Sequence, residues 1–325
     1  MIRGSRWVLW CAGAGLAVLL LACAAAPCRT APGAPNHWFI GDIHQHEDFS
    51  RPVTEHAAIV QKAGYDFICL QYKHMDDPRR VPDPRTLSST TFLVIPGSEQ
   101  DFASSRGLRD HFGFMPMSFP MPYEVTHPLN IAQGLAEAER RSPGCLKFIH
   151  HPSDKRWTLE DIRAAYGGGS RFIELNGWSV GTQFSVDLWD QALSAGMLLY
   201  ATMSTDAHTL AGLHREGYIR LRAPRLTQKC VLAALQDGDF VACEEKCKAV
   251  VSDVVRPAGK RGQKYQVIGD NIAEVRFVGA EGKRLQTTRG DKAAYVISGS
   301  EGYVRAEAVD AAGLRCFTQP VVVSP

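Results

Sequence analysis

The chain has 325 residues, 45% of them hydrophobic and 22% charged, with a formal charge of +2. This is ordinary globular composition, enough for a sizeable core in one large domain with a small one beside it. No Lys/Arg run with interleaved aromatics occurs, so nothing marks an electrostatic footprint for nucleic acid.

In chain order, Arg3 and Arg6 precede an apolar stretch from Trp7 to Ala22, followed by Cys23, small residues and the Pro-rich Cys28 to Pro35 segment. The stretch is shorter than the roughly 20 residues of a spanning helix, and its basic flank and small-residue tail read as a signal peptide. Leu20-Leu21-Ala22-Cys23 resembles a bacterial lipobox, which implies cleavage before Cys23, lipidation of that residue and a membrane anchor in the cell envelope, on the periplasmic or outer-membrane side. Ordinary secretion with cleavage after Ala26, or an uncleaved anchor, are the alternatives. Residues 1–35 are therefore read as leader and linker. Export permits disulfides, and a bridge is expected among Cys230, Cys243, Cys247 and Cys316 with its pairing left open. Cys69 and Cys145 fall in apolar runs and read as buried thiols. The absence of paired Cys-x-x-Cys spacing argues against a cysteine zinc finger.

From residue 36 onward apolar runs alternate with helical patterns. Strands are predicted over Trp38 to Ile43, Asp66 to Gln71, Thr91 to Ile95, His111 to Met115, Cys145 to His150, Arg171 to Leu175, Met197 to Met203 and Tyr218 to Leu221. Helices are predicted over Thr54 to Ala63, Leu129 to Arg141, Thr158 to Tyr166, Ser185 to Ala195 and Thr227 to Gln236. This alternation argues for an α/β fold, a parallel barrel or a wound sheet, over residues 36–249. Met75 to Thr90 and Met115 to Pro128 read as Pro-rich loops over the strand ends. From about Val250 the pattern becomes short alternating runs such as Glu274 to Val278, Ala294 to Ile297 and Tyr303 to Val309. These predict a small β-sandwich domain over residues 250–325.

Histidine and carboxylate clusters fall at or just after the predicted strands: Asp42-Ile43-His44-Gln45-His46, Gly97-Ser98-Glu99, Asp110-His111, His150-His151-Pro152 and Asp206-Ala207-His208. Residues i, i+2 and i+4 of a strand share a face, so Asp42, His44 and His46 are expected to converge, as are Ser204, Asp206 and His208. Imidazole and carboxylate are the donors that Zn, Mn and Fe favour. Of the two adjacent histidines, His151 is the expected ligand, because strand neighbours face opposite ways and Pro152 biases His151 to an extended form. His150 then falls in the core or behind the ligands. His56, His37, His127 and His214 read as surface or satisfied histidines. Gly167-Gly168-Gly169 reads as a turn, and no Gly-x-Ser-x-Gly elbow is present.

Asp-x-His-x-His, then Gly-x-Glu, a mid-chain His, His-Pro and Ser-x-Asp-x-His, in that order, closely resemble the PHP (polymerase and histidinol phosphatase) family of metallohydrolases over roughly residues 37–250. The terminal segment resembles that of its exported carbaryl-hydrolase-like members. The resemblance implies a distorted seven-stranded (β/α) barrel whose strand ends hold two or three divalent metals, Zn, Mn or Fe. Carried over by position, His44, His46, Glu99 and Asp206 hold one metal, Glu99 bridges to a second held by His111 and His151, and His208 faces a third or the reacting group. Two departures bear on the third site. Ser50-Arg51-Pro52 stands where the family carries an Asp or His, and Gln71-Tyr72-Lys73-His74 stands where it carries Asp-His. His74 can still ligate with a one-residue shift, and Asp48 is a substitute ligand, so two metals are expected and a third only if such a residue serves.

The implied chemistry is ester hydrolysis by a metal-bridging hydroxide, a phosphoesterase in the first instance. A carboxylic or carbamate ester or amide hydrolase, and an envelope-anchored binding or scaffold protein with a weakened metal site, are the alternatives. His208, or His74, is the expected proton donor to the leaving group. Lys73, if it points inward, can hold an anionic substrate group or a leaving oxygen. Arg109, Lys155 and Arg156 are candidates to clamp a phosphate of the small-molecule substrate. Glu174 and Asn176 are candidates for substrate contact or for support behind the ligands.

Overall fold

The computed structural model describes Cys28 and residues 37–47, 52–73, 84–117, 121–177, 180–213 and 216–324. The expectations for the leader, for lipidation at Cys23, and for Asp48, Arg51, His74 and His214 lie outside these residues.

The chain forms β1 (His37–Gln45), α1 (Val53–Lys62), β2 (Phe67–Tyr72), α2 (Pro84–Leu87), β3 (Leu93–Ala103), β4 (Arg109–Met115), α3 (Tyr123–Thr126), α4 (Ile131–Arg141), β5 (Leu146–Ile149), α5 (Leu159–Gly167), β6 (Phe172–Glu174), α6 (Thr182–Ser194) and β7 (Tyr200–Thr202). It continues with β8 (Gly217–Ala223), α7 (Gln228–Asp237), β9 (Phe240–Glu244), β10 (Val250–Val255), β11 (Lys264–Asp270), β12 (Glu274–Val278), β13 (Arg284–Arg289), β14 (Lys292–Val296), β15 (Tyr303–Val309), β16 (Arg315–Thr318) and β17 (Val321–Val322). Every predicted strand and helix is present near its expected place. Local chemistry explains why: α4 and α5 open on capping boxes, Asn130 with Gln133 and Thr158 with Asp161, which satisfy free N–H groups of the first turn. The i, i+4, i+7 residues Ile131, Leu135 and Ala138 are buried, turning one stripe of α4 to the core.

The arrangement of these elements corrects the expected (β/α) barrel. The main sheet is mixed and open, with 14 strands in the order β13-β12-β15-β16-β9-β8-β1-β2-β3-β4-β5-β6-β7 and β17 beside β15. Pairing is parallel across β1-β2-β3 and β5-β6-β7, and antiparallel at β3-β4, β4-β5, β1-β8 and β8-β9. A parallel barrel needs a crossover between each pair of strands. Instead β3 runs past Ile95 to Ala103 and folds straight back as β4. The turn is held by Ser104 N–H to the Leu108 carbonyl at 2.8 Å, with Gly107 at φ +72°.

The terminal strands are not a separate sandwich either. Strands β12, β13, β15 and β16 continue the main sheet through the β9–β16 pairing, where Cys243 faces Cys316 and the two form a disulfide. Strands β10, β11 and β14 form a three-stranded sheet that closes over them on a core including Val251, Tyr265, Val267, Phe277 and Ala306. A buried ion pair ties this region to α6. Arg305 donates to both carboxylate oxygens of Asp190 at 2.8 and 2.7 Å and to Glu307 at 2.8 Å, while its guanidinium lies 4.7 Å from the Trp189 ring centre. Cys230 bonds Cys28 rather than another of its expected partners, and Cys69, Cys145 and Cys247 are buried thiols.

Glu301 offers a test of the terminal fold. Its buried carboxylate accepts from the N–H groups of Ser298, Gly299 and Ser300 and from the Tyr295 hydroxyl. Burial alone would raise its pKa, but these donors lower it from 4.5 to about 2. A depressed carboxyl stabilises the fold fully above the unfolded value and loses that contribution as pH falls through the folded one, here worth about 1–2 kcal/mol at neutral pH once solvent screening is allowed for. Urea denaturation of Glu301→Gln is expected to show a deficit of that order at pH 7 that shrinks steadily below pH 4.5; a deficit independent of pH would contradict it.

Candidate metal centre

The candidate ligands gather where β1, β3, β4, β5 and β7 end or begin. His44 and His46 lie at the end of β1, Glu99 within β3, His111 in β4, and His151, Asp206 and His208 in the loops after β5 and β7. The loop after β7 is brought to β1 by two backbone hydrogen bonds, Asp206 N–H to His44 and His46 N–H to Ala207, both 2.9 Å.

Glu99 is the centre of the cluster. Its Oε1 is 2.9 Å from His111 Nδ1, 3.3 Å from His151 Nε2 and 3.4 Å from His44 Nε2, and its Oε2 is 3.3 Å from His46 Nε2. Asp206 Oδ1 lies 3.2 Å from both His44 Nε2 and His46 Nε2 and 3.4 Å from His208 Nε2, and its Oδ2 is 3.8 Å from His151 Nε2. Two sets of donor atoms, each mutually within 4.8 Å, share Glu99: His44 and His46 on one side, His111 and His151 on the other. His208 stacks on His46 at 4.1 Å and is 53% exposed, so it stands at the mouth. All seven expected ligands within the described residues are thus brought together.

These residues fit a divalent cation on their own chemistry. His44 Nε2 and His46 Nε2 face each other at 3.1 Å, and two imidazole lone pairs can approach so closely only with a proton or a metal ion between them. Asp206 Oδ1, His151 Nδ1 and both ring nitrogens of His150 are buried without an aligned hydrogen-bond partner. Buried polar atoms are nearly always satisfied, so their concentration at one point marks a place for a cation. His151 and Asp206 also hold positive φ angles of 24° and 47°, backbone strain of the kind that collects at functional sites. These buried His, Glu and Asp groups can hold a metal ion.

Electrostatics point the same way. Burial would raise the pKa of Glu99, but His111 and His44 hold it well below the usual carboxylate range. Burial likewise opposes ionisation of Asp206, and His44, His208 and His46 override it. For His44 the burial penalty is overcome by Asp206, Glu174 and Glu99, which raise it well above the ordinary histidine value. His150 goes the other way, lowered to about 4 by burial and by the neighbouring His44.

Several expectations are refined here. Both His150 and His151 reach the cluster, because β5 ends at Ile149 and strand alternation no longer separates them. His150 stacks on His44 at 3.6 Å and occupies the space over Gly113, where a Cβ would come within 2.2 Å of its Nε2. Asp42 does not join His44 and His46. The β1–β2 register shifts between Asp42 and Gln45, and Asp42 instead accepts from Thr205 Oγ1 and from His44 N–H at 3.1 Å. Ser204 turns to Glu174 rather than to the ligands.

Glu174 supports the cluster from behind. It lies 3.2 Å from His44 Nδ1, accepts the His151 N–H at 2.7 Å, and takes the Ser204 hydroxyl. This fixes the His44 ring with Nε2 turned to the cluster, as carboxylates do behind metal-binding histidines. Asn176 is buried beside it, bonded to the Ser204 backbone. Lys73 does point inward, its ammonium 2.8 Å from Glu99 Oε2. Arg109 is held by Asp101 and the carbonyls of His127 and Thr126, Lys155 pairs with Asp154 at 3.5 Å, and Arg156 is a turn residue with φ 49°. His56 is buried on α1 and bonded to Gln45 at 3.1 Å. The participation of His150 and the bracing by Thr205 carry no sequence signal, since both depend on where strands end.

No family model matches the chain, and no curated protein matches it. Among solved structures it is similar to PsfC from Pseudomonas syringae PB-5123, at 16% identity over 61% of this chain and 88% of that one, with a TM-score of 0.43. A likeness so distant carries no argument about either fold or function.

Equilibrium dialysis against Mn or Zn is expected to show metal retained by the wild type and lost in His44→Ala. Glu174→Gln is expected to bind about 10- to 100-fold more weakly, the usual cost of losing a carboxylate behind a metal-binding histidine. Equal affinity in all three proteins would remove the centre from this cluster.

Proposed function

We infer that the protein is an exported metal-dependent hydrolase, acting on a phosphate ester with two divalent ions. The observation that carries this reading is the pair of donor sets sharing Glu99, His44 and His46 with Asp206 on one side and His111 and His151 on the other. The order of these ligands along the chain, the order in which the PHP metallohydrolases carry theirs, supports the same reading. Divalent ions bound there would supply Lewis acidity, activating water near neutral pH and offsetting negative charge on a phosphoryl group.

The chain's own residues do the rest. Glu174 holds His44 in one orientation, and the strained backbones of His151 and Asp206 present their side chains inward. His208, half exposed and 3.4 Å from Asp206, is placed to hand a proton from Nε2 to a leaving oxygen arriving from solvent. Burial of His44, His46 and Glu99 keeps water from competing for the donors.

A panel of chromogenic phosphate, carboxylate and carbamate esters, assayed with Mn or Zn, tests the reaction. Phosphate-ester turnover abolished by His44→Ala is expected. Turnover of carboxylate or carbamate esters alone would move the substrate to that class, and retained metal without any turnover would favour a binding or scaffold protein.

Export is supported by the disulfides Cys28–Cys230 and Cys243–Cys316, since such bonds persist in oxidising compartments. No helix among the described residues is long and apolar enough to cross a membrane. Lipidation at Cys23 predicts that the wild type partitions with membranes and that Cys23→Ser appears in the soluble fraction; identical partitioning would exclude an anchor at that residue.

A further inference from the structure

We propose that Lys73 is the residue that binds the oxyanion group of the substrate, gripping it at the mouth of the histidine–carboxylate cluster. The inference rests on the reading of that cluster as a hydrolytic metal centre and adds to it a binding residue. It starts from the distribution of positive charge. Of the four cationic side chains near the cluster in sequence, Arg109 is taken up by Asp101 and two backbone carbonyls, Lys155 by Asp154, and Arg156 lies in a turn whose carbonyl accepts from Arg106. Lys73 alone of these four reaches a candidate ligand, 2.8 Å from Glu99 Oε2.

Its position is that of a gatekeeper between solvent and cluster. The side chain follows the last residue of β2 and is 30% exposed, whereas Glu99 beneath it is 2% exposed. Lys73, Glu99, Gln100, Asp101 and His111 line a cavity of about 190 Å³, which suits a single small charged group rather than a polyanion. Lys73 is the ammonium in that lining, and an oxyanion entering there would share it with Glu99.

Charge balance gives the cation a purpose. Glu99, Glu174 and Asp206 bring three negative charges to the buried cluster. Two divalent ions and one ammonium would outweigh them, leaving a positive surplus in a region of low dielectric, where it is costly unless an anion enters. An ammonium is a compact donor suited to a phosphate oxygen, and it needs no rearrangement of the buried ligands to reach one at the rim.

Calorimetric titration of the metal-loaded full chain with inorganic phosphate tests this, with metal content measured on the same samples. Lys73→Met is expected to weaken phosphate binding about 10- to 100-fold, the range for a lost charge-assisted hydrogen bond, while retaining the wild-type metal content. Lys73→Arg, which keeps the charge and guards against misfolding of the first variant, is expected to recover most of that loss. Unchanged phosphate affinity in a metal-loaded Lys73→Met protein would overturn the proposal and leave the hydrolase reading standing. A wild type that holds metal but binds no phosphate would overturn the proposal and the phosphoesterase reading together.

Discussion

The segment after β7 returns to the end of β1 and is fastened there by two backbone hydrogen bonds, Asp206 N–H to the His44 carbonyl and His46 N–H to the Ala207 carbonyl, and by the side-chain contact of Thr205 with the buried Asp42. Without that return, Asp206 and His208 would not reach His44 and His46, and the donor sets His44, His151, Asp206 and His46, Asp206, His208 would be lost. The Asp42 carboxyl is raised to about 6 by burial despite the donors around it, so its interior position costs stability that the joined segments must offset. The open sheet therefore curls far enough to make a site without closing into a barrel. The contact across the gap is an isolated bridge, Gln45 with Ala207, and not a ladder.

Glu174 extends the same fastening inward. It contacts His44 from β1, the backbone of His151 after β5 and Ser204 after β7, so one carboxylate from β6 sets the relative positions of three segments. Burial opposes its ionisation, but His44, His150 and His151 bring its pKa down to about 2, so it stays charged. Such a network is stable only when its members are satisfied together. The unpartnered atoms lie one layer further out, at Asp206, His150 and His151, which is where a cation completes the set.

At the other end of the molecule the terminal strands are part of the same body. Arg305 is buried, and its charge is met by Asp190 of α6 and by Glu307. Removing one partner of such a pair leaves an uncompensated buried charge, so α6 and β15 are bound to keep their relation. Through β16, β9 and β8 the main sheet connects β15 to the strand that bears His44 and His46.

Much of this could be read from the residues alone. Period places β1 to β8, α1, α4 to α7 and the terminal strands β12, β14 and β15, because it acts within a few residues, whereas it does not predict the short α2 and α3 or strands such as β9, β10, β11 and β16. Acid-flanked clusters mark the histidines and carboxylates as metal-type donors, and the resemblance of their order to that of the PHP family implies His44, His46, Glu99, His111, His151, Asp206 and His208 as the ligand set. What the residues alone could not decide was the pairing of the strands. Antiparallel return of β3 into β4, merger of the terminal strands into the main sheet, and the choice of Cys28 as partner of Cys230 are long-range contacts with no local signature. Lys73 is a candidate anion-binding residue in the sequence only on the condition that it points inward. Only the register of β2 beside β3, which pairs Tyr72 with Ser98, brings its ammonium to Glu99.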